Sequence, residues 1–366
     1  MTFANKPVLV FWEMTKACPL SCAHCRADAI RNPLPGELTT QEGKRLIDQI
    51  TLFGKPYPVM IFTGGDPLAR KDLYDLLEYA RDKGVSFAVS PAVSDSLTLE
   101  VLRKLKDIGV SSISVSLDGS TGDTHDGIRQ VAGTYGRTID TIRKAIEIGL
   151  PIQVNTAVMR RNMREMPAIF KLIRGLGVRT WEIFFLVKTG RGTGLEDLSA
   201  EESESVCNFL YDASRYGMII RTVEAPFIRR VVRQRTHNDL YWKEAVYYGM
   251  RLELRSAMGE PHGPSTIRPL GTLDGDGIIF VSHNGTICPG GFLPLELGNM
   301  KADNIVDVYA GNGMLVKIRN REFEGPCGEC EFRSECGGSR ARACAYSGNP
   351  LGSDPSCIRS ASAMGD

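Results

Sequence analysis

A chain of 366 residues with 42% hydrophobic and 24% charged residues can bury a sizeable core and is about two domains long. Its net charge near +1 gives no electrostatic reason to expect nucleic acid or a membrane surface as a partner. The apolar run Val8 to Trp12 is too short for a signal h-region or a membrane span, and no later run is long enough, so a cytoplasmic protein is expected.

The first strand-like run, Val8 to Thr15, leads directly into KACPLSCAHCRA, which carries Cys18, Cys22 and Cys25. An iron–sulfur cube normally takes four cysteines, so three thiolates at Cys-x3-Cys-x2-Cys can hold three corners and leave one iron open to a small molecule. The same spacing groups side chains on a helix, where free cysteine is a common core residue. Pro19 argues against a helix interior, and Lys16 and Arg26 favour thiolate and cluster charge.

Further β-rich runs follow at Val59–Thr63, Phe87–Val93, Ser112–Leu117, Ile152–Met159 and Trp181–Val187. Amphipathic segments separate them, near Thr40–Phe53, Lys71–Lys83, Leu97–Ile108, Tyr135–Ile148 and Met163–Leu176. Gly84, Gly109, Gly149 and Gly177 read as helix C-terminal stops, and Thr39 with Glu42 as a capping box. This alternation predicts a parallel sheet with helical crossovers, with chemistry at the strand C-terminal ends. The cysteine loop, Gly64-Gly65-Asp66, Ser116 with Asp118, and Asn155 are expected at such ends.

After Gly192 the pattern changes. Leu198 to Tyr216 and Phe227 to Arg255 read as helices of a bridging region rich in arginine, and a Gly/Pro-rich stretch runs from Gly259 to Gly277. Two apolar runs around Asn284-Gly285 then predict a hairpin. Beyond it, Cys327-x2-Cys330-x5-Cys336 and the later Cys357 suit either a second iron–sulfur cube or a zinc ribbon. Cys207 reads as core. The ten cysteines cluster at both ends at metal-like spacings, which favours metal binding over disulfides.

Taken together, the cysteine triplet with His24 before its third member, TGGDP (Thr63 to Pro67), SVSLDG (Ser114 to Gly119) and HDGIR (His125 to Arg129) resemble the radical S-adenosylmethionine (SAM) superfamily. The C-terminal CGECEFRSECGGSRARAC resembles a SPASM auxiliary-cluster module. The resemblance implies an α/β fold: a partial (β/α)6 TIM-like barrel over residues 1–195, a helical bridge over 196–276, and a small cysteine-rich SPASM domain over 277–366. It implies a [4Fe–4S] cluster on Cys18, Cys22 and Cys25, with SAM at its open iron. SAM contacts fall on His24, Gly64, Gly65, Asp66, Ser116, Asp118, Arg129 and Asn155. Asp66 would accept a hydrogen bond from the SAM ammonium or from a neighbouring amide. No catalytic residue is assigned beyond the cluster. One auxiliary [4Fe–4S] cluster is expected on Cys327, Cys330, Cys336 and Cys357, with Cys288 an alternative ligand in place of Cys357 or Cys336. Arg340 stands where a further cysteine often follows Cys336.

CGGSRARA and LVKTGRG (Leu186 to Gly192) look most like the alternative haem biosynthesis group, the haem b synthase and nitrite-reductase haem enzymes. That likeness implies oxidative decarboxylation of tetrapyrrole propionates, for which the bridge arginines offer bidentate carboxylate partners. The alternative readings are a maturase of a ribosomally made peptide and a non-catalytic iron–sulfur electron carrier. The partners expected are a tetrapyrrole or peptide substrate and a one-electron reductant such as flavodoxin or ferredoxin, with no nucleic acid and no membrane.

Overall fold

A computed structural model describes residues 3–238, 242–267 and 271–364. Residues 239–241 of the expected bridge helix and 268–270 of the Gly/Pro-rich stretch lie outside the described residues. The N-terminal elements alternate: β1 Leu9–Glu13, α1 Thr40–Thr51, β2 Val59–Thr63, α2 Leu73–Asp82, β3 Phe87–Val89, α3 Leu99–Ile108 and β4 Ile113–Ser116. They continue with α4 Gly122–Arg129, α5 Thr134–Glu147, β5 Ile152–Val158, α6 Met166–Gly175 and β6 Thr180–Phe185. Then come α7 Ala200–Ser214, β7 Ile219–Val223, α8 Ile228–Asn238 and α9 Ala245–Met258. The C-terminal part holds β8 Leu273–Asp274, β9 Gly277–Val281, β10 Thr286–Cys288 and β11 Gly298–Asn299. It ends with the short helices α10 Ile305–Gly311, α11 Gly313–Arg319, α12 Gly325–Glu329, α13 Arg340–Ser347 and α14 Ile358–Met364.

One open sheet runs through both parts, in the order β11-β10-β9-β1-β2-β3-β4-β5-β6-β7, with β8 beside β9. Strands β1 to β7 are all parallel, as an α/β partial barrel requires. The expected capping box of α1 is present, and Gly84, Gly109, Gly149 and Gly177 all take left-handed φ where their helices stop.

Two features depart from expectation. Ile219–Val223, inside the stretch read as a helical bridge, is a strand parallel to β6. Its run of β-branched residues after Gly217 is the strand signal that the helical periodicity on either side obscured. The C-terminal hairpin also does not stand apart: β9 pairs in parallel with β1, Leu9 opposite Ile278 and Trp12 opposite Val281.

Period-two alternation gives each strand two faces. Trp12, Met60, Phe62, Val89, Ile113, Val115, Val154, Trp181 and Ile183 are buried against the helices. The opposite face lines a cavity, and its character changes around the sheet. It is apolar along β1 to β3 (Leu9, Phe11, Val59, Ile61, Ala88) and polar along β4 to β6 (Ser114, Ser116, Gln153, Asn155, Glu182).

The seam between the two parts is held by Glu13 at the end of β1. Its Oε2 accepts from Arg26 Nη1 at 2.9 Å, and its Oε1 is 2.9 Å from His283 Nδ1 and 3.3 Å from Ser282 Oγ. Arg26 reaches on to the Gly291 carbonyl and stacks 4.8 Å from the Phe280 ring centre. Burial alone would raise the Glu13 carboxyl, but Arg26 and His283 hold it below its ordinary value. Its contribution to stability is therefore complete above the unfolded value and is lost as pH falls through the lower folded one. Glu13→Ala leaves Arg26 without its carboxylate and is expected to destabilise the fold by about 3 kcal/mol at pH 7. Denaturant titration should show that difference shrinking as pH falls below the ordinary glutamate value and the wild-type carboxyl takes up its proton. A pH-independent difference would contradict this account.

Candidate active site

The cysteine loop is closed at its base. Cys18 N donates to the Ile30 carbonyl at 2.8 Å and Ile30 N to the Lys16 carbonyl at 2.9 Å, so residues 18–30 stand out as one loop from the end of β1. Each thiol receives a donor. Leu20 N lies 3.4 Å from Cys18 Sγ, Ala29 N lies 3.4 Å from Cys25 Sγ, and Arg129 Nη1 lies 3.4 Å from Cys22 Sγ. All three cysteines are free and line the cavity. Burial pushes the Cys18 thiol up to about 12, so metal loading there must displace a proton.

Gly64 and Gly65 lie directly under this loop. Gly65 N donates to the Thr15 carbonyl and Asp66 N to the Ala17 carbonyl, both at 2.7 Å. Gly64 has φ +151°, where a Cβ would lie 2.6 Å from the Thr15 carbonyl oxygen; at Gly65 it would lie 2.3 Å from that of Ala17. No side chain fits at either position. Asp66 is buried, and its Oδ1 accepts from Leu68 N at 3.1 Å and Ala92 N at 3.2 Å, tying the ends of β2 and β3 together. Burial pushes its carboxyl up to about 6.

Asp118 is fully buried and organises the opposite wall. Its Oδ1 accepts from Ala157 N at 2.8 Å, and its Oδ2 pairs with Arg129 Nη2 at 2.5 Å and lies 3.9 Å from His24 Nε2. Its backbone N–H donates to His125 Nδ1 at 3.0 Å, which leaves the His125 proton on Nε2. Burial pushes both imidazoles down to about 4, so both are neutral at pH 7. Burial alone would also lower Arg129, but Asp118 and Cys22 beside it hold it above its ordinary value. Ser116 and Asn155 line the cavity at one level, since Ser116 pairs with Asn155, and Asn155 with Glu182. Asn155 lies within β5 rather than at its end, a correction to the sequence expectation. Its Oδ1 accepts from Gln153 Nε2 at 2.8 Å.

Arg191 was not singled out from the sequence, yet it clamps the cysteine loop. Its Nε donates to the Cys22 carbonyl at 2.9 Å, its Nη1 to the Ala29 carbonyl at 2.7 Å, and its backbone N to the Cys25 carbonyl at 3.1 Å. Gly190 makes this approach possible, since a Cβ there would lie 2.4 Å from the Cys25 carbonyl oxygen. The readable signal was an arginine bracketed by glycines just after a strand. His125 and Glu182 were also missed. Glu182 is the one carboxylate in the otherwise apolar run of β6, and burial pushes it up.

The cavity has a volume of about 660 Å³ and is walled on its far side by the C-terminal part, including Asp274, Phe280, Phe292, Ser339 and Arg340. Three buried nitrogens around the cysteine loop, His24 Nδ1, Arg129 Nε and Arg191 Nη2, have no hydrogen-bond partner among the described residues. Soft thiols ringed by cations and unfilled donors fit an anionic iron–sulfur group and a ligand with carboxylate oxygens.

The bridge arginines divide sharply. Arg230 is buried against Glu204, Arg235 pairs with Asp212 at 2.7 Å, and Arg233, Arg251 and Arg255 also face carboxylates. Arg215 caps the Gly263 carbonyl. Arg221 and Arg229 line the cavity. Among the described residues Arg229 donates to the carbonyls of Glu335 and Thr272, at 2.8 and 2.5 Å.

Among the C-terminal cysteines, Cys327, Cys336 and Cys357 are buried and Cys330 is half-buried, all free. Cys327 Sγ receives Asp354 N and Cys336 Sγ receives Gly338 N, both at 3.4 Å. Cys336 lies in the field of Cys357, and Cys207, fully buried on α7, lies in the field of both. Cys288 lies elsewhere, near Glu296, Glu13 and Arg26. Among the described residues, no three His, Cys, Asp or Glu side chains are gathered to hold a single metal ion.

The Radical SAM superfamily profile matches residues 12–173. An AdoMet-dependent heme synthase of Nitratidesulfovibrio vulgaris is 36% identical over 353 residues, covering 95% of this chain and 91% of that protein. One from Methanosarcina barkeri is 33% identical, covering 98% of each. A mycofactocin maturase of Mycobacterium tuberculosis is 25% identical, covering 97% of this chain and 84% of that protein. The solved structure of native anSMEcpe with bound AdoMet superposes with a TM-score of 0.68 at 14% identity, covering 96% of this chain and 94% of that one, a likeness of fold. Nearly the whole length is thus shared with relatives above 30% identity, and the chain belongs to the radical SAM superfamily of enzymes, whose chemistry rests on a [4Fe–4S] cluster and SAM.

Proposed function

We propose that this enzyme oxidatively decarboxylates propionate side chains of a tetrapyrrole. The observation that carries the reading is the end-to-end similarity to two AdoMet-dependent heme synthases at 36% and 33% identity. The cavity supports it chemically. An apolar wall along β1 to β3 suits a flat macrocycle, and the guanidiniums of Arg221 and Arg229 offer forks for carboxylate arms.

Cys18, Cys22 and Cys25 would hold the cluster, and the unfilled nitrogens of Arg129, His24 and Arg191 would be available to SAM. When bound, the cluster and SAM would supply one-electron hydrogen-abstraction chemistry. Asp118 keeps Arg129 oriented through their ion pair, and Arg191 with Gly190 holds the loop, so the three thiols stay at the cavity wall. The substrate then loses CO₂ and one electron to leave a vinyl group. Cys327, Cys330, Cys336 and Cys357 hold an auxiliary iron–sulfur group that serves electron transfer, and flavodoxin or ferredoxin serves as reductant. No helix among the described residues is long and apolar enough to cross a membrane.

The second reading, peptide maturation, draws on the similarity to mycofactocin maturase. Anaerobic protein with dithionite, SAM and Fe-coproporphyrin distinguishes the two. A Soret shift with CO₂ release and 5′-deoxyadenosine supports decarboxylation, whereas 5′-deoxyadenosine without either rejects it.

Two variant series refine the assignment. Cys22→Ala should abolish 5′-deoxyadenosine formation, whereas Cys330→Ala should retain uncoupled SAM cleavage while product formation stops, both read by chromatography. Arg229→Gln should raise the KM for Fe-coproporphyrin on the order of 10-fold or more, since a charge-assisted hydrogen bond contributes about 1.5–3 kcal/mol. An unchanged KM would remove Arg229 from the substrate site.

A further inference from the structure

Arg340 is a buried cation that makes no ion pair among the described residues. Its side chain is 1% exposed, its Nε donates to the Gly338 carbonyl at 3.2 Å, and its Nη1 donates to the carbonyls of Pro350 and Gly352 at 3.1 and 2.7 Å. The guanidinium carbon lies 4.1 Å from the Phe323 ring centre. Nη2 has no oxygen acceptor among the described residues, and the guanidinium is directed at the Cys327 thiol, with Cys336 also in its field. Gly338 makes the approach possible, since a Cβ there would lie 2.7 Å from Arg340 Nη2 and 3.1 Å from Cys327 Sγ.

Two carboxyls lie in its field: burial and the neighbouring Glu224 push that of Asp274 well up, and that of Asp354 is engaged elsewhere. Asp354 receives Arg342 Nη1 on both oxygens, at 3.1 and 3.2 Å, and Ser339 N at 2.7 Å. Among the described residues Arg340 makes no ion pair with a carboxylate, whereas Arg230, near Cys357, has Glu204. A buried cation without a counter-charge is costly, and an anionic cluster on the adjacent thiolates would supply one.

We propose that Arg340 is the fixed counter-charge of the auxiliary iron–sulfur centre and raises its reduction potential. The inference rests on the auxiliary centre proposed above. Cluster potentials follow net charge and hydrogen bonds to sulfur, and here both push towards easier reduction. An electron-accepting role, taking the single electron that leaves the substrate, requires that direction. Arg340 is a positioning residue in this scheme: it borders the cavity, but its guanidinium is directed at Cys327.

The test uses full-length protein carrying Cys18→Ala, Cys22→Ala and Cys25→Ala together, reconstituted anaerobically with iron and sulfide, so that only the auxiliary centre titrates. EPR-monitored redox titration then compares Arg340 with Arg340→Met, Arg340→Gln and Arg340→Lys. The two neutral variants should make reduction at least tenfold less favourable, a fall of about 59 mV for one electron. The lysine variant should recover most of that loss. Neutral variants that load iron normally and titrate at the parent potential would overturn the proposal. Absence of any iron–sulfur signal in the parent background would instead overturn the auxiliary centre itself, and this inference with it.

Discussion

The site depends on one backbone contact. The chain leaving β1 at residues 15–17 lies against the turn leaving β2 at Gly64–Asp66, joined by two hydrogen bonds of 2.7 Å. Parallel strands deliver both turns to the same edge of the sheet, and only glycine at 64 and 65 lets the two backbones meet. That contact sets the root from which Cys18 emerges. The loop above it is then held from three sides: by its own closure at Ile30, by Arg191 on the carbonyls of Cys22 and Ala29, and by Arg26 on Glu13. None of these contacts spends a thiol, so the cysteines remain available.

Charge is distributed around that loop in the same economical way. Asp118 is the buried anion to which Arg129 is paired and near which His24 sits, while its backbone fixes the His125 tautomer. Burial keeps both imidazoles neutral, so the positive field at Cys22 comes from guanidinium rather than from histidine. Guanidinium does not lose its proton in any ordinary pH range, which makes the field insensitive to the proton chemistry that accompanies thiolate metallation.

Pairing of β9 with β1 brings the C-terminal part into the same sheet as the barrel and makes it the far wall of the cavity. The cavity is therefore walled by both parts of the chain through one continuous sheet. The seam is electrostatic as well as hydrogen-bonded, through Glu13, Arg26 and His283.

The sequence by itself determined the class of fold, the cysteine loop and the family. Periodicity, glycine stops and a motif of local spacing are properties of short segments, and the elements α1, α3 and β1 to β6 form much as their patterns specify. Local pattern could not decide which polar residues face the cavity. The bridge arginines look alike in sequence, but only Arg221 and Arg229 line the cavity, because carboxylates from distant segments such as Glu204, Asp212 and Glu335 engage most of the others. Likewise Arg191 meets the cysteine loop across more than 160 residues of chain, and Ile219–Val223 becomes a strand because the β6 edge is there to receive it. Spacing reports on neighbours along the chain, whereas burial and ion pairing depend on which distant groups the fold brings within reach, and that was decided by the tertiary structure alone.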